Sequence, residues 1–247
     1  MHIAYESQRI LTENPDIDNE SLLFEIGPFL SLIIQSQVLS IAKQMGLTGE
    51  LILMEDLLNF ATERGIHHSR VLTAWKGYEN SERDYYANRI AIEVKASGSR
   101  NRVHKISSIE QLLLSDEPKE EQLYVYSIGL SPDTSRPYKL ITQIDNVERV
   151  LDPSLHDDFY DYLAQYCGEG YHRNLRDRYN LETGFTISPP AGLIRIDDSV
   201  DILRYSSFAT GRLPNDVEDV NYKARFNDPD ISRTEVEELY SIMLGIE

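Results

Sequence analysis

One stretch of twelve residues decides the fold: Asp84-Tyr85-Tyr86-Ala87-Asn88-Arg89-Ile90-Ala91-Ile92-Glu93-Val94-Lys95. From Ile90 onward, large apolar residues alternate with Ala91, Glu93 and Lys95. Side chains along a strand point to opposite faces in turn, so this alternation is typical of a strand with one apolar face. It is the strongest strand pattern in the chain.

The dipeptide Asn88-Arg89 predicts a two-residue hairpin turn before this strand. Asn tolerates the positive φ that such turns require, although Arg is unusual in the second position. A turn at these residues fixes the register of the hairpin. The expected pairs are Ala87 with Ile90, Tyr86 with Ala91, Tyr85 with Ile92 and Asp84 with Glu93.

This register places the Asp84 and Glu93 carboxylates side by side. Directly opposed residues have Cβ atoms roughly 4.5–5.5 Å apart, and like charges there destabilise a sheet. The pair therefore needs a cation. Lys95 projects from the same face, and two carboxylates at this separation could also share a Mg²⁺ ion. The alternative is an exposed strand face with an ordinary surface ion pair.

The flanking segments predict an α/β fold with a mixed core sheet between helices. Before the hairpin, we expect a mostly buried helix from about Leu22 that ends at Gly46, and a second helix from Thr48 to a glycine cap at Gly65. After it, we expect a short helix capped by Ser107 or Ser108, a strand over 123–128 and a helix over 141–150.

The chain divides into three predicted segments. Residues 1–21 form a polar amino-terminal arm, and residues 22–152 form the core. Residues 153–247 form an α+β extension, rich in tyrosine and acidic residues, that packs on the core and is available for partner or dimer contacts. Short strands are expected within it at 192–196 and 217–226.

Composition excludes several classes of protein. The 247 residues are 41% hydrophobic and 26% charged, which is typical of a globular chain. Cys167 is the only cysteine, which excludes an intramolecular disulfide and a Cys-rich zinc site. Since no apolar stretch is long enough to span a bilayer, we expect a soluble, cytoplasmic protein without a membrane partner.

The charge is unevenly distributed along the chain. The formal net charge is −17, which by itself argues against binding to a polyanion. Residues 70–105 nevertheless hold eight basic and four acidic residues, a net charge of +4 against −21 for the rest. A basic segment of this kind suits an anion-binding site, while the remaining acidic residues, here called the acidic body, repel nonspecific polyanions. The alternative is a mixed-charge surface loop.

Several motifs resemble a known family. Glu50 in a helix, Asp84, Ile92-Glu93-Val94-Lys95 in a strand and a following helix with Gln111 resemble the PD-(D/E)XK nuclease superfamily. The chain is closest to the bacterial "PD-(D/E)XK motif protein" family of restriction and phage-defence gene clusters. That resemblance is carried by Trp75-Lys76-Gly77, Arg83-Asp84-Tyr85, Ile92-Glu93-Val94-Lys95-Ala96-Ser97 and His104-Lys105-Ile106-Ser107-Ser108-Ile109-Glu110-Gln111-Leu112. Arg83 stands where the motif has proline.

The resemblance implies a restriction-endonuclease-like fold and a metal-dependent endodeoxyribonuclease. Asp84, Glu93 and Glu50 would hold Mg²⁺, with Mn²⁺ as a substitute. Lys95 would orient or deprotonate the attacking water, or neutralise developing charge, and Gln111 would assist as a polar residue near the site. Glu50 and Gln111 each have an alternative explanation. Glu50 could be an acid favoured at the start of a helix, and Gln111 could be an ordinary exposed glutamine.

The partners follow from the same resemblance. We expect DNA, other subunits of a defence complex and a second copy of the chain. The residues expected to contact phosphates are Lys76, Arg100, Arg102, His104 and Lys105, with a solvated loop as the alternative. The acidic body also favours a second hypothesis, a catalytically dormant or inactive subunit that binds DNA or assembles a complex.

Overall fold

The computed structural model describes residues 9–12, 14, 17–18, 21–22, 39–79, 81–133, 138–167, 183–229 and 231–246. Most of the predicted amino-terminal arm and most of the predicted helix before residue 39 lie outside these ranges. The described helices are α1 (Ile41–Arg64), α2 (Ser69–Ala74), α3 (Leu140–Val150), α4 (His156–Cys167) and α5 (Arg233–Met243). None of them is both long and apolar enough to cross a membrane.

The described strands form two sheets, which the chain visits in the order β1 (Tyr85–Ala87), β2 (Ile90–Ser97), β3 (Val103–Ile106), β4 (Gln122–Pro132), β5 (Phe185–Ile187), β6 (Gly192–Arg195) and β7 (Tyr222–Arg225). The central sheet pairs β1 with β2 antiparallel and β2 with β4 parallel, and β4 pairs antiparallel with both β5 and β6. Strands β3 and β7 form a separate antiparallel ribbon. The predicted mixed α/β sheet is therefore confirmed.

The hairpin turn has the predicted register. Asn88 and Arg89 adopt φ of 47° and 65°, and the three β1 residues pair with β2 as expected. The Asn88 side chain donates to the carbonyls of Ile242 and Met243 at the end of α5, at 3.0 and 3.1 Å. The turn is thus held by a helix distant in sequence, a contact that local pattern does not indicate.

Helix α1 packs across one face of the sheet. It begins at the Ser40 cap and ends at Gly65, which has the predicted left-handed conformation with φ of 67°. Its apolar residues join one core with Ile90, Ile92 and Val94. The expected break at Gly46 is wrong, because the helix continues through it. Packing on the sheet outweighs the roughly 1 kcal/mol that an interior glycine costs.

The opposite face of the sheet carries a second core. Ala91, Leu123 and Val125 of the central sheet pack there against residues of the β3–β7 ribbon, including Ile106 and Ala224. This is the face from which Glu93 and Lys95 project. Residues 153–247 contribute β5, β6, β7, α4 and α5, so both faces and one side of the sheet are completed by the carboxy-terminal part of the chain.

The predictions for individual elements after the hairpin have mixed outcomes. The strand over 123–128 and the helix over 141–150 are confirmed, as is the strand at 192–196, while only Tyr222–Arg225 is a strand within 217–226. The predicted serine-capped helix is instead a 3₁₀ turn, Glu110–Leu112, without a side-chain cap. Helix α5 was not predicted.

Candidate active site

Asp84 lies immediately before β1 and turns its side chain toward β2. Its Oδ2 accepts a hydrogen bond from the Val94 backbone N–H at 2.6 Å. Its backbone carbonyl accepts from the N–H groups of Lys76 and Gly77 at 2.7 and 3.1 Å. Backbone groups thus fix the residue from both sides. The predicted pairing of Asp84 with Glu93 is wrong as a ladder pair, because the ladder ends at Tyr85 and Ile92 and Asp84 binds the Val94 N–H instead.

Glu93, Lys95 and Gln111 meet on one face of the sheet. Lys95 Nζ lies 2.7 Å from Glu93 Oε1, and Gln111 Nε2 donates to the same oxygen at 2.8 Å. The Gln111 Oε1 atom accepts from the Ser107 backbone N–H at 2.9 Å, which orients the amide. The Glu93 and Lys95 side chains are only 6% and 13% exposed, so they do not form an ordinary surface ion pair.

Glu50 comes to the site from helix α1. It is 4% exposed, with Oε2 accepting from Trp75 Nε1 at 2.7 Å and Oε1 accepting from the Tyr166 hydroxyl at 3.2 Å. A Cβ on Gly77 would lie 1.9 Å from Glu50 Oε2 and 2.8 Å from Trp75 Nε1, so a side chain there would displace the Glu50 carboxylate or the indole that binds it. Gly46, one helical turn before Glu50, leaves room for the Tyr166 hydroxyl in the same way, at 3.3 Å.

Burial raises the pKa of all three carboxylates. Burial, followed by the nearby Glu93 and Glu50 charges, raises the pKa of Asp84 well above its usual range. Burial raises the pKa of Glu50 to about 7, against the hydrogen bonds from Trp75 and Tyr166. Burial also raises the pKa of Glu93, although Lys95 opposes the shift. The site holds more negative charge than its own cation balances.

These residues offer oxygen ligands suited to Mg²⁺. Asp84 Oδ1 and Glu93 Oε2 have no hydrogen-bond partner among the described residues, while both Glu50 oxygens already accept one hydrogen bond. Within the described ranges, no group of three or more His, Cys, Asp and Glu side chains has the arrangement of a metal site. The donor set fits two direct carboxylates, with water completing the shell, which is how Mg²⁺ is commonly bound.

Arg83 and Glu120 form a buried ion pair next to the site. Apart from the position of Arg83 directly before Asp84, nothing in the sequence predicts it. Arg83 Nε and Nη2 donate to Glu120 at 2.7 and 2.8 Å, and the two side chains are 4% and 1% exposed. Arg83 also donates to the backbone carbonyls of Gln111 and Leu113. The arginine therefore holds the turn that carries Gln111 against the strand that carries the site.

Two of the predicted phosphate contacts are wrong. Arg102 is 5% exposed, and its guanidinium donates to the carbonyls of Ser127 and Pro190 and to the Asp228 carboxylate. His104 is 2% exposed, lies 2.8 Å from Ser127 Oγ, and has its pKa lowered to about 4 by burial. Both side chains thus anchor the ribbon to β4. The sequence does not indicate their burial, because β7, the strand that covers them, comes from far along the chain.

The other three predicted phosphate contacts are accessible. Arg100 and Lys105 are exposed, and Lys76 is half-buried with its Nζ 3.3 Å from Glu79. Their role in binding nucleic acid stays a prediction. Trp75, by contrast, is fully buried among aromatic side chains, where it serves packing and the Glu50 hydrogen bond.

A comparison with protein families identifies the chain. The DUF4420 family model, whose description reads "Putative PD-(D/E)XK family member", matches residues 30–226. The chain belongs to this family. The match spans every site residue from Glu50 to Gln111 and confirms both the resemblance and the restriction-endonuclease-like fold. No curated protein and no solved structure gives a significant match.

Membership of this family can be compared with the residues that the structure brings together. Asp84 and the Glu93–Val94–Lys95 segment fit the acid and acid-x-lysine pattern after which the superfamily is named, and their catalytic role stays a prediction. The structure brings the sequence-predicted residues Glu50, Asp84, Glu93, Lys95 and Gln111 together. Sequence reasoning missed the residues that hold them in place: Gly77, Arg83, Glu120 and Tyr166.

Proposed function

We propose that this family member is a metal-dependent endodeoxyribonuclease. One observation carries the proposal: Lys95 and Gln111 both bind Glu93 Oε1 on the sheet face, beside the half-buried Asp84 carboxylate. A surface ion pair would not require a second donor or a neighbouring acid. Family membership supports phosphodiester hydrolysis as the chemistry of such a site.

Each side chain has a proposed role. Asp84 and Glu93 would hold Mg²⁺ or Mn²⁺ through their unpartnered oxygens, and Glu50 would reach the ion through water. A divalent cation, when bound, acidifies a water molecule and stabilises negative charge at the phosphate. Lys95 orients or deprotonates the attacking water, or neutralises developing charge. Gln111 keeps the Glu93 carboxylate oriented toward Lys95.

The setting of this activity is part of the proposal. We place it in a prokaryotic restriction or phage-defence system because the segments from residue 75 to 112 resemble a family found in such gene clusters. Partner subunits and a second copy of the chain are proposed on the same ground. The net charge of −17 favours help from a partner in approaching DNA.

The test is cleavage of supercoiled plasmid at low salt in Mg²⁺, Mn²⁺ or EDTA. Wild-type protein should nick or linearise the plasmid only with metal. Lys95→Ala should cleave at least about 100-fold more slowly, the scale expected for loss of proton-transfer or electrostatic catalysis. Lys119→Ala is the control, because Lys119 is 66% exposed in a loop outside the site.

Two results would contradict the proposal. If Lys95→Ala cleaves as fast as wild type, the activity does not come from this site. If folded wild-type protein cleaves nothing with either metal, the dormant or inactive subunit becomes the better reading, since the acidic body already favours assembly with a partner.

A further inference from the structure

The β3–β7 ribbon presents a basic outer face. Lys105 pairs directly with Lys223, and Val103 pairs with Arg225. Lys105, Lys223 and Arg225 are all exposed, whereas the alternate residues of both strands turn inward. The alternation of a strand thus sorts the ribbon into a buried apolar side and an outward cationic side.

The cations on this face have no ion-pair partner among the residues that the structure describes. None of Lys105, Lys223 and Arg225 forms an ion pair with a residue that the structure describes. Directly opposed like charges destabilise an antiparallel pair, so the Lys105–Lys223 pair carries a cost that an external anion would relieve. The nearest described acid on β7's carboxyl side, Asp228, is engaged by Arg102 at 3.0 Å.

The ribbon is anchored next to the catalytic strand. His104 and Arg102 both bind Ser127, which pairs with Lys95 in the register of β2 and β4. Ser127 and Lys95 therefore lie side by side on one face of the sheet, the face that the ribbon covers. The outer cations are therefore carried by an element whose inner residues contact the strand that pairs with the Lys95 strand.

We propose that the β3–β7 ribbon is a docking element for the phosphate backbone of duplex DNA, with Lys105, Lys223 and Arg225 as its contacts. The inference rests on the proposed function for its choice of DNA, and it adds residues from the carboxy-terminal part of the chain. A repeating polyanion matches a row of fixed cations that has no partner in the described structure. The acidic remainder of the chain confines that polyanion to this face.

The experiment measures binding of a short DNA duplex in EDTA, so that no cleavage occurs, across about 50 to 200 mM salt. The double variant Lys105→Ala/Lys223→Ala should bind roughly tenfold or more weakly at low salt. The slope of log affinity against log salt should fall by about 2, since each lost phosphate contact removes about one unit. Arg225→Ala should lower it by about 1.

A matched control removes two positive charges elsewhere. Arg64→Ala/Arg233→Ala deletes two exposed arginines that bind Glu237, on the α1 and α5 side of the sheet. This control should retain the wild-type slope. Equal weakening by both double variants would overturn the proposal, because net charge alone would then explain binding. Absence of wild-type binding to duplex DNA, or tighter ribbon-dependent binding to duplex RNA, would also overturn it.

Binding and cleavage fail separately. If the ribbon variants lose DNA affinity while wild-type protein never cleaves, the docking element stands and the hydrolase proposal fails. If ribbon variants cleave like wild type at every substrate concentration, the docking element fails and hydrolysis stands. When both proposals hold, the ribbon variants raise KM and leave kcat near its wild-type value.

Discussion

Two buried ion pairs lie close to the same turn, and they differ in how completely they are satisfied. Arg83 and Glu120 form two mutual hydrogen bonds; Arg83 also donates to two carbonyls, and Glu120 accepts from the Ser115 N–H. Lys95 and Glu93 share one short contact, and Glu93 keeps an oxygen without a partner among the described residues. The first pair is closed, and the second is open.

This difference distinguishes an ion pair that stabilises the fold from one that can bind a ligand. A buried charge with every donor and acceptor engaged fixes the chain and has no capacity for a ligand. A buried acid with a raised pKa and a free oxygen is what a cation-dependent site requires. The hydrogen-bonding groups of the Arg83–Glu120 pair thus hold the turn that carries Gln111 in place. The Lys95–Glu93 pair instead leaves one Glu93 oxygen available to the proposed metal ion.

Breaking the closed pair should have the largest effect on stability. Arg83→Leu leaves Glu120 buried without its cation, and we expect a loss of about 3–5 kcal/mol in the free energy of unfolding. Urea denaturation measures this loss. Arg233→Leu is the control, since its ion pair with Glu237 is 89% exposed on the arginine side and should contribute less than about 1 kcal/mol. Similar losses for the two variants would contradict the distinction.

The open site should make stability depend on pH in the opposite sense to ordinary acid denaturation. The folded-state pKa of Glu50 is about 7, above the value of 4.5 usual for glutamate, so between these pH values the folded protein retains a proton that the unfolded chain releases. In EDTA, stability should therefore fall as pH rises from 4.5 to 7, by up to about 3 kcal/mol from this group. Asp84 and Glu93 act in the same direction.

Glu50→Gln isolates this contribution. The amide cannot ionise, so the decline in unfolding free energy between these pH values should become shallower than in wild type. Glu237→Gln, a half-exposed acid on α5, should keep the wild-type decline. An unchanged decline in Glu50→Gln would show that its carboxyl does not titrate as the burial of the site requires.

The smallest expected change in stability comes from Asp84→Asn. The amide oxygen can still accept from the Val94 N–H, while the repulsion from Glu93 and Glu50 disappears. We expect the free energy of unfolding to rise by about 1 kcal/mol near pH 8 and metal-dependent cleavage to be lost, since substitutions at active sites often increase stability at the cost of activity. Thermal melting in EDTA and the plasmid assay measure the two effects, with exposed Asp219→Asn as the control. A folded Asp84→Asn protein that still cleaves would exclude Asp84 from the site.

The sequence predicted what depends on local pattern. Alternation gave strand β2, and Asn88-Arg89 gave the hairpin register and hence the closeness of Asp84 to the catalytic strand. The family motif supplied Glu50 and Gln111, whose side chains the structure brings to the same site. The strand and the turn follow from periodicity and turn chemistry, which act over a few residues, whereas Glu50 and Gln111 came from the resemblance alone.

What depended on distant residues was not predictable. Arg102 and His104 look like loop cations until β7, some 120 residues later, buries them. Glu120 carries no mark of its pairing with Arg83. Gly46 reads as a helix end, because the packing that compensates it and the Tyr166 hydroxyl beside it belong to other elements.

The bonds from Asn88 to the last turn of α5 have a consequence for synthesis of the protein. The two carbonyl acceptors lie 154 and 155 residues further along the chain than the turn they hold. A ribosome therefore releases the β1–β2 hairpin long before it makes the groups that hold the tip of the hairpin. A nascent chain halted before α5 lacks these two hydrogen bonds, so the tip of the hairpin gains them only after that helix has emerged.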